Sequence, residues 1–200
     1  MNNTMSRILY LYLFICINSM GVYSQSMPDS VRAILDVKFP QWKITSYSIP
    51  SECYAREYVK LDPKARIFYI CNLNMDKIPD YAMRIFTGQG RTLMEYFVVI
   101  LSENSSYKLF ILDSCTAARG AGERYLYLLK PGDKTNIFDD PFWEVISEFG
   151  KLSKGQRATF ISFPIDALKI KPICGGKFKE VEIDTYVYIK NRFYNFSSAD

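Results

Sequence analysis

The sequence predicts an α+β domain: an N-terminal helix packed on a curved, mainly antiparallel β-sheet of seven or more strands, with one further short helix near 141–149. Three observations carry this expectation. One early stretch places its apolar residues at helical spacing, the rest of the chain alternates or runs β-branched and aromatic, and Gly, Asn or Ser residues separate those runs. Strands that follow one another without helical crossovers imply antiparallel pairing.

In chain order, Pro28 to Phe39 opens with Asp29 and Ser30 as N-cap residues. It places Val31, Ile34, Leu35 and Phe39 on one stripe, so an amphipathic helix is expected. Pro40 ends it. Strand patterns then occupy 42–48, 67–71, 81–86, 95–102, 107–113, 124–129, 159–163, 167–173, 178–183, 185–190 and 193–197. Gly88-Gln-Gly90, Asn104-Ser-Ser106, Pro131-Gly132, Gly175-Gly176 and Lys190-Asn-Arg192 sit between apolar runs, where Gly and Asn supply the positive φ of tight turns. Gly88-x-Gly90 is a turn and not a phosphate loop, because no strand-to-helix transition and no third glycine follow. Asp140 as N-cap, Pro141 at the first helical position and Gly150 past the end frame the second helix.

With 48% hydrophobic and 16% aromatic residues the chain can build a core, which excludes global disorder. The 25 Lys and Arg against 21 Asp and Glu leave +4, too small a surplus for a nucleic-acid footprint. Histidine does not occur. That excludes Ser-His-Asp triads, Cys-His dyads, His-ligated zinc and imidazole acid/base catalysis, since each needs a ring nitrogen. Carboxylate, Lys, Tyr and thiol chemistry remain.

Arg7 precedes an apolar run over 8–17, and a small or polar stretch over 18–26 follows. That order of charged, apolar and small-residue regions is a secretory signal peptide, cleaved close to Ser24. The organisation expected is a signal peptide over 1–24 and a single α+β domain over 25–200, secreted or periplasmic. A spanning helix needs about 20 apolar residues, so no transmembrane segment is expected. Removing 1–24 takes Arg7 and Cys16, which leaves 24 basic against 21 acidic residues, +3, and the cysteines Cys53, Cys71, Cys115 and Cys174. An even count in an exported domain points to two disulfides, with the pairings open. No C-x-x-C spacing occurs, so neither a redox motif nor a zinc knuckle is indicated.

One segment has the shape of a metal loop. Asn72, Asn74, Asp76 and Asp80 place oxygen-bearing side chains at loop positions 1, 3, 5 and 9, the alternation that lets a turn wrap one hard cation. A carbonyl such as that of Ile78 adds a further oxygen. With Tyr81-Ala82 behind it, the segment resembles the Asp-x-Asn-x-Asp-Gly-x-x-Asp-Tyr-Ala loop of FG-GAP/VCBS-like secreted bacterial proteins. The downstream order, with a Leu-x-Leu-x-Pro-Gly-like segment at 125–132 and a terminal aromatic hairpin at 186–196, is similar to small exported bacterial proteins of uncharacterised function that carry a single such loop. The resemblance implies calcium ligation by the four residues and an envelope location, and it implies no activity. Asn72 stands where the pattern has Asp, and Lys77 stands where it has Gly. A non-glycine residue at that left-handed position costs on the order of 1 kcal/mol, and the lysine brings a positive charge beside the cation. The cofactor expectation is none, or weakly bound calcium. The other reading of the loop is a turn held by Asn and Asp hydrogen bonds.

Asp139, Asp140, Glu144 and Glu148 around Trp143 could equip a glycosidase, but Asp140 caps a helix and Glu144 and Glu148, four apart, lie on its solvated face. No catalytic residue is assigned. Residues 151–200 hold nine Lys and Arg against five acids, so the charge surplus lies in the C-terminal quarter. There Tyr186, Tyr188, Lys190, Arg192 and Tyr194 make a basic aromatic hairpin, a binding surface for an acidic protein, a glycan or an anionic envelope polymer. The competing reading packs the aromatics into the core and leaves edge lysines to discourage strand pairing. The function expected is that of an exported non-enzymatic binding or inhibitor/immunity-like protein of the cell envelope, with an unknown protein or glycan ligand. The alternatives are a carboxylate-dependent enzyme acting on envelope polysaccharide and a calcium-stabilised glycan-binding module.

Overall fold

The computed structural model describes residues 27–44, 67–116, 124–137, 148–154, 159–172 and 183–198. The chain divides into two compact units, Met1–Lys38 and Phe39–Asp200. In the first, helix α1 (Asp29–Lys38) buries Val31 and Leu35, four apart on the expected stripe. The Pro28 carbonyl accepts the Val31 and Arg32 amides at 3.0 Å, satisfying donors that a helix start leaves open.

In the second unit the described strands form three antiparallel sheets. Sheet I joins β1 (Phe68–Cys71), β2 (Asp80–Thr87), β3 (Met94–Glu103) and β4 (Ser106–Thr116) in chain order. Sheet II takes β5 (Arg124–Leu129) at one edge, then β9 (Ala167–Pro172), β10 (Ile183–Ile189) and β11 (Arg192–Ser198). Sheet III sets β8 (Thr159–Ser162) between β6 (Thr135–Ile137) and β7 (Lys151–Lys154).

Side-chain parity determines the layering, because successive residues of a strand point to opposite faces. From sheet II, Leu126, Leu128, Leu168, Ile170, Tyr186 and Tyr188 pack with Ala82, Phe97, Val99 and Leu101 of sheet I. The intervening Leu129, Ala167, Val187, Ile189, Tyr194 and Phe196 pack with Ile161 of sheet III and with Phe163 just beyond it. Sheet II is therefore a middle layer with two buried faces. Each fully buried Leu, Ile or Phe contributes about 1.5–3 kcal/mol. Polar groups in this layer need partners: Thr185 Oγ1 and Ser198 Oγ share a hydrogen bond of 2.7 Å, and Lys171 Nζ lies 4.5 Å over the Tyr127 ring.

A bulge prepares one end of the I–II sandwich. Val98 pairs with Ile111 but Phe97 pairs with Asp113, so Leu112 is an extra residue and Asp113 shares a face with Phe97 and Glu95. There Arg84 pairs with the buried Glu95, Arg124 pairs with Asp113, and Arg124 Nη2 lies 3.5 Å from Glu95 Oε2. This chain of alternating charges joins β2, β3 and β4 to β5, and removing one member would leave a buried charge uncompensated.

The α+β expectation is corrected. The fold is mostly β, with one α-helix and one short 3-10 helix (Gly90–Thr92) among the described residues, and three small sheets in place of one curved sheet of seven or more strands under a helix. Alternation reveals which side chains share a strand face, but not which sheet a strand joins. The double-sided burial of sheet II is what divides the strands among three sheets. Strands β6 and β7, three and four residues long, carry too short a pattern to signal themselves. Of the strand expected at 42–48, the described part contributes a single bridge, Lys43 with Phe86. The signal peptide over 1–24, the stretch 178–182 and all but the last residues of the helix at 141–149 lie outside the described residues. Among the described residues no helix is long and apolar enough to cross a membrane.

One measurable consequence comes from Lys169, which is 2% exposed and sits in the middle layer opposite Thr185 and Tyr127. Burial pulls its ammonium pKa down from 10.5 to about 8. Above that value the unfolded chain binds more protons at this residue than the folded one, so stability rises with pH up to the unfolded pKa. The Tyr186 phenol, pushed up by burial and by Asp184, acts in the opposite sense, but only above the ordinary tyrosine value of 10.0. Between pH 8 and pH 10 we expect a gain on the order of 2–3 kcal/mol that Lys169→Met abolishes. Denaturant titrations across that range measure it, and a flat wild-type profile would contradict the assignment.

Candidate functional site

Strand directions bring four connections to the end of the sandwich remote from the Arg84–Glu95–Arg124–Asp113 chain. They are 72–79 between β1 and β2, Asn104-Ser105 between β3 and β4, 130–134 after β5, and Lys190-Asn191 between β10 and β11. The first contains the metal-loop pattern. It is built on Asp80, fully buried at the first position of β2. Asp80 Oδ2 accepts the Leu73 amide at 2.6 Å, and Oδ1 accepts the Ser102 amide at 2.8 Å. One carboxylate thus ties the loop and β2 to β3.

The remaining oxygens close the turn on itself. Asn72 Oδ1 accepts the Met75 amide at 3.0 Å, Asn74 Oδ1 the Asp76 amide at 3.2 Å, and Asp76 Oδ1 the Ile78 amide at 2.8 Å. Asn74 Nδ2 donates to Asp76 Oδ2 and to the Ser102 carbonyl. The Ser102 hydroxyl lies 2.6 Å from Asp76 Oδ2 and 2.9 Å from Asp80 Oδ1, and its one proton serves either. Met75 and Lys77 adopt φ of 66° and 64°, so the left-handed backbone expected at position 77 is present with a lysine in it.

A second tie reaches across to sheet II. The Asn72 amide donates to Asp166 Oδ2 at 2.9 Å, the Asp166 amide donates back to the Asn72 carbonyl at 3.3 Å, and Lys130 Nζ lies 3.2 Å from the same carboxylate. The two loop acids are held differently. Burial raises the Asp80 pKa against the pull of the Leu73 and Ser102 donors, with the Asp76 charge adding to the rise. Burial also acts on Asp76, but hydrogen bonds from Ser102, Ile78 and Asn74 outweigh it and leave this carboxyl below its ordinary value.

No family model, curated protein or solved structure matches this chain. What the site can do follows from its own geometry. Asp76 Oδ2, Asp80 Oδ1 and, at 3.5 Å, the Ile78 carbonyl surround the Ser102 hydroxyl, so a hard cation here would take those oxygens together with Ser102 Oγ. It would have to displace the protons that Ser102 and Asn74 now supply. Asn72 Oδ1 is turned instead to the Met75 amide. Among the described residues no group of three or more His, Cys, Asp or Glu side chains is placed to hold a metal ion.

The hairpin side chains divide. Tyr186, Tyr188 and Tyr194 are buried, with Tyr188 5.0 Å from Phe193 and 5.9 Å from Phe110 between ring centres, so they pack the core and do not form a surface. Lys190 and Arg192 are exposed; Lys190 lies 3.5 Å from Glu148, and Arg192 stacks 4.3 Å over Tyr194. Of the four cysteines, Cys71 is a buried thiol whose pKa burial pushes well up, with the charges of Asp80 and Asp166 adding to it. Cys115 is half-buried, and its Sγ lies 3.4 Å from the Thr116 carbonyl. Cys53 and Cys174, like Asp139, Asp140, Trp143 and Glu144, lie outside the described residues.

Sequence reasoning missed Ser102 and Asp166, which stand 22 and 94 residues from their partners in the loop segment. A hydroxyl closing the apolar run of β3 is the one cue to Ser102. It also missed the loop tip, where Met75 and Ile78 are 52% and 40% exposed.

Asp80→Ala would leave the Leu73 and Ser102 amides without their acceptor, each unmade bond costing about 1–3 kcal/mol, so a loss of about 2–6 kcal/mol is expected. Lys77→Gly removes the left-handed strain and is expected to stabilise by up to about 1 kcal/mol. Urea midpoints of both variants check this. An Asp80→Ala variant as stable as wild type would remove the carboxylate from its central place.

Proposed function

We propose that the chain is an exported, non-enzymatic binding protein of the cell envelope, of the inhibitor or immunity type, which recognises its ligand through the turn end of the I–II sandwich. The observation that carries this is the convergence of four turns at one end, with the first braced by Asp80, Ser102 and Asp166 while its tip side chains stay in solvent. Loops held by a rigid scaffold are where binding residues concentrate. The described carboxylates of the sandwich support a structural assignment: Asp80 and Asp166 accept backbone amides, and Glu95 and Asp113 pair with arginines.

Two experiments test the reading. Intact mass of the secreted or periplasmic protein, with and without thiol alkylation, should show a chain beginning near Gln25, and the proposed disulfides require that Cys71 and Cys115, unbridged in the structure, resist alkylation together with Cys53 and Cys174. Retention of Met1 would end the export proposal. Purified mature protein should co-sediment with an envelope fraction without releasing reducing sugar ends. Release that disappears as carboxylates are protonated would favour the polysaccharide-cleaving enzyme instead.

The oxygens gathered about Ser102 support a second role for the same loop, as a weak calcium joint that stiffens the turn and supplies no chemistry. Binding to the folded state raises stability by RT ln(1 + [L]/Kd), about 2.7 kcal/mol at a hundredfold excess over Kd. Millimolar calcium should raise the melting temperature, more so in Lys77→Gly, and Asp76→Ala or Ser102→Ala should abolish the shift. Melting curves unmoved by calcium in both wild type and Lys77→Gly would leave the loop a hydrogen-bonded turn.

A further inference from the structure

The binding reading leaves open what kind of partner the turn end fits, and the exposed side chains of the four turns address that. Within 75–79, 104–106, 130–134 and 190–192 the exposed charged residues are Lys77, Lys130, Lys134, Lys190 and Arg192 against Asp76 and Asp133, five cations to two carboxylates. Both carboxylates are turned into their own turns: Asp76 Oδ1 accepts the Ile78 amide at 2.8 Å and Asp133 Oδ2 the Lys130 amide at 2.9 Å. Two of the cations also have acidic neighbours, Asp166 for Lys130 and the exposed Glu148 for Lys190, and surface pairs of the latter kind hold little energy. The side chains exposed in these turns are therefore mainly cationic, with the Asp80 and Asp166 carboxylates buried beneath them and Glu103 partly exposed at the end of β3.

Charge is accompanied by apolar surface. Met75 and Ile78 flank Lys77 on the same tip, and both are large and exposed. Their backbone is fixed, since the Met75 amide is held by Asn72 and the Ile78 amide by Asp76, and Met75 and Lys77 sit in a left-handed conformation that costs energy for any residue with a Cβ. A tip already ordered loses little freedom when it binds. A polyanionic glycan or nucleic acid would engage the cations and leave Met75 and Ile78 in water. A folded partner with an apolar pocket rimmed by Asp and Glu would use both, and Met and Arg are enriched at such interfaces.

We propose that the turn end of the sandwich docks an acidic-rimmed apolar pocket of a protein partner, with Met75 and Ile78 entering the pocket and Lys77, Lys190 and Arg192 facing its rim. This rests on the binding reading above and adds the class of partner. The probe is a soluble peptide of repeated Glu-Glu-Leu units, titrated into isotope-labelled mature protein at low salt, with a Gln-Gln-Leu peptide, a Glu-Glu-Gly peptide and polygalacturonate as parallel arms. Amide shifts should appear at 72–79, 104–106, 130–134 and 190–192 with the Glu-Glu-Leu peptide, and affinity should fall steeply with salt. Both Lys190→Glu/Arg192→Glu and Met75→Ser/Ile78→Ser should weaken binding at least tenfold while keeping the wild-type melting temperature.

Shifts centred elsewhere, or no shift at millimolar peptide, would overturn the docking surface. Equal binding of polygalacturonate or the Glu-Glu-Gly peptide that ignores Met75→Ser/Ile78→Ser would overturn the protein-pocket assignment in favour of a simple polyanion. Co-sedimentation with the envelope that survives both double variants would sink this inference and leave a binding function at another surface, whereas sugar release in that assay would sink the binding reading itself.

Discussion

The structure of the second unit depends on one constraint: sheet II has no face in water. Leu168 and Ile170 look toward sheet I while Ala167 looks toward sheet III, and along β10 Tyr186 and Tyr188 alternate with Val187 and Ile189 in the same way. A sheet buried on both sides cannot discard its polar groups into solvent, so each must find a partner within the layers. Thr185 and Ser198 share one hydrogen bond, and the Lys171 ammonium rests on the Tyr127 ring. The same constraint explains why an aromatic hairpin with basic residues at its turn offers Lys190 and Arg192, with Asn191 and Asn195, to the outside and keeps Tyr186, Tyr188 and Tyr194 inside. Its rings pack on one face or the other.

Much of the strand framework was legible. The run at 124–129 coincides with β5, and the runs at 81–86, 95–102 and 107–113 lie within β2, β3 and β4, because apolar, β-branched and aromatic runs bounded by turn residues mark a buried strand whether one face or both are covered. Sheet membership was not legible, since β5 pairs with β9 across some 40 residues and no local pattern marks that. The α+β expectation failed for this reason: it placed successive strands in one sheet, whereas the two-faced apolar pattern of β9 and β10 belongs to a middle layer. The loop at 72–80 was legible as a turn of Asn and Asp at alternate positions. Its bracing was not, because Ser102 and Asp166 come from distant strands.

That loop shows how one spacing serves two chemistries. Oxygens at alternate positions converge whether the centre holds a cation or a set of protons, and the choice depends on the available donors. Here Asn74 supplies an amide and Ser102 a hydroxyl to the point where Asp76 and Asp80 meet. Lys77 adds positive charge at the rim, so the donors and this cation partly offset the two carboxylates without a metal. Their differing environments agree with this. The more exposed Asp76 is held ionised by its donors, while Asp80, which links β2 to β3, is buried against the rise in its pKa.

The two ends of the sandwich then differ in what their charges do. At one end the Leu112 bulge brings Asp113 round to Arg124, and Arg84 with Glu95 completes a cluster in which each cation meets an anion. Such a cluster is spent on holding sheets I and II together, and its neutrality leaves little field to attract a ligand. At the other end the carboxylates are directed inward to backbone amides, Asp80 to Leu73 and Ser102 and Asp166 to Asn72, so their charge is buried in the joint while the lysines remain outside. The same acid groups that fix the turns therefore lie beneath a surface whose exposed turn side chains are mainly cationic. The cationic side chains of the turn end are thus a consequence of how the sandwich is closed, kept in solvent by the same residues that hold the fold together.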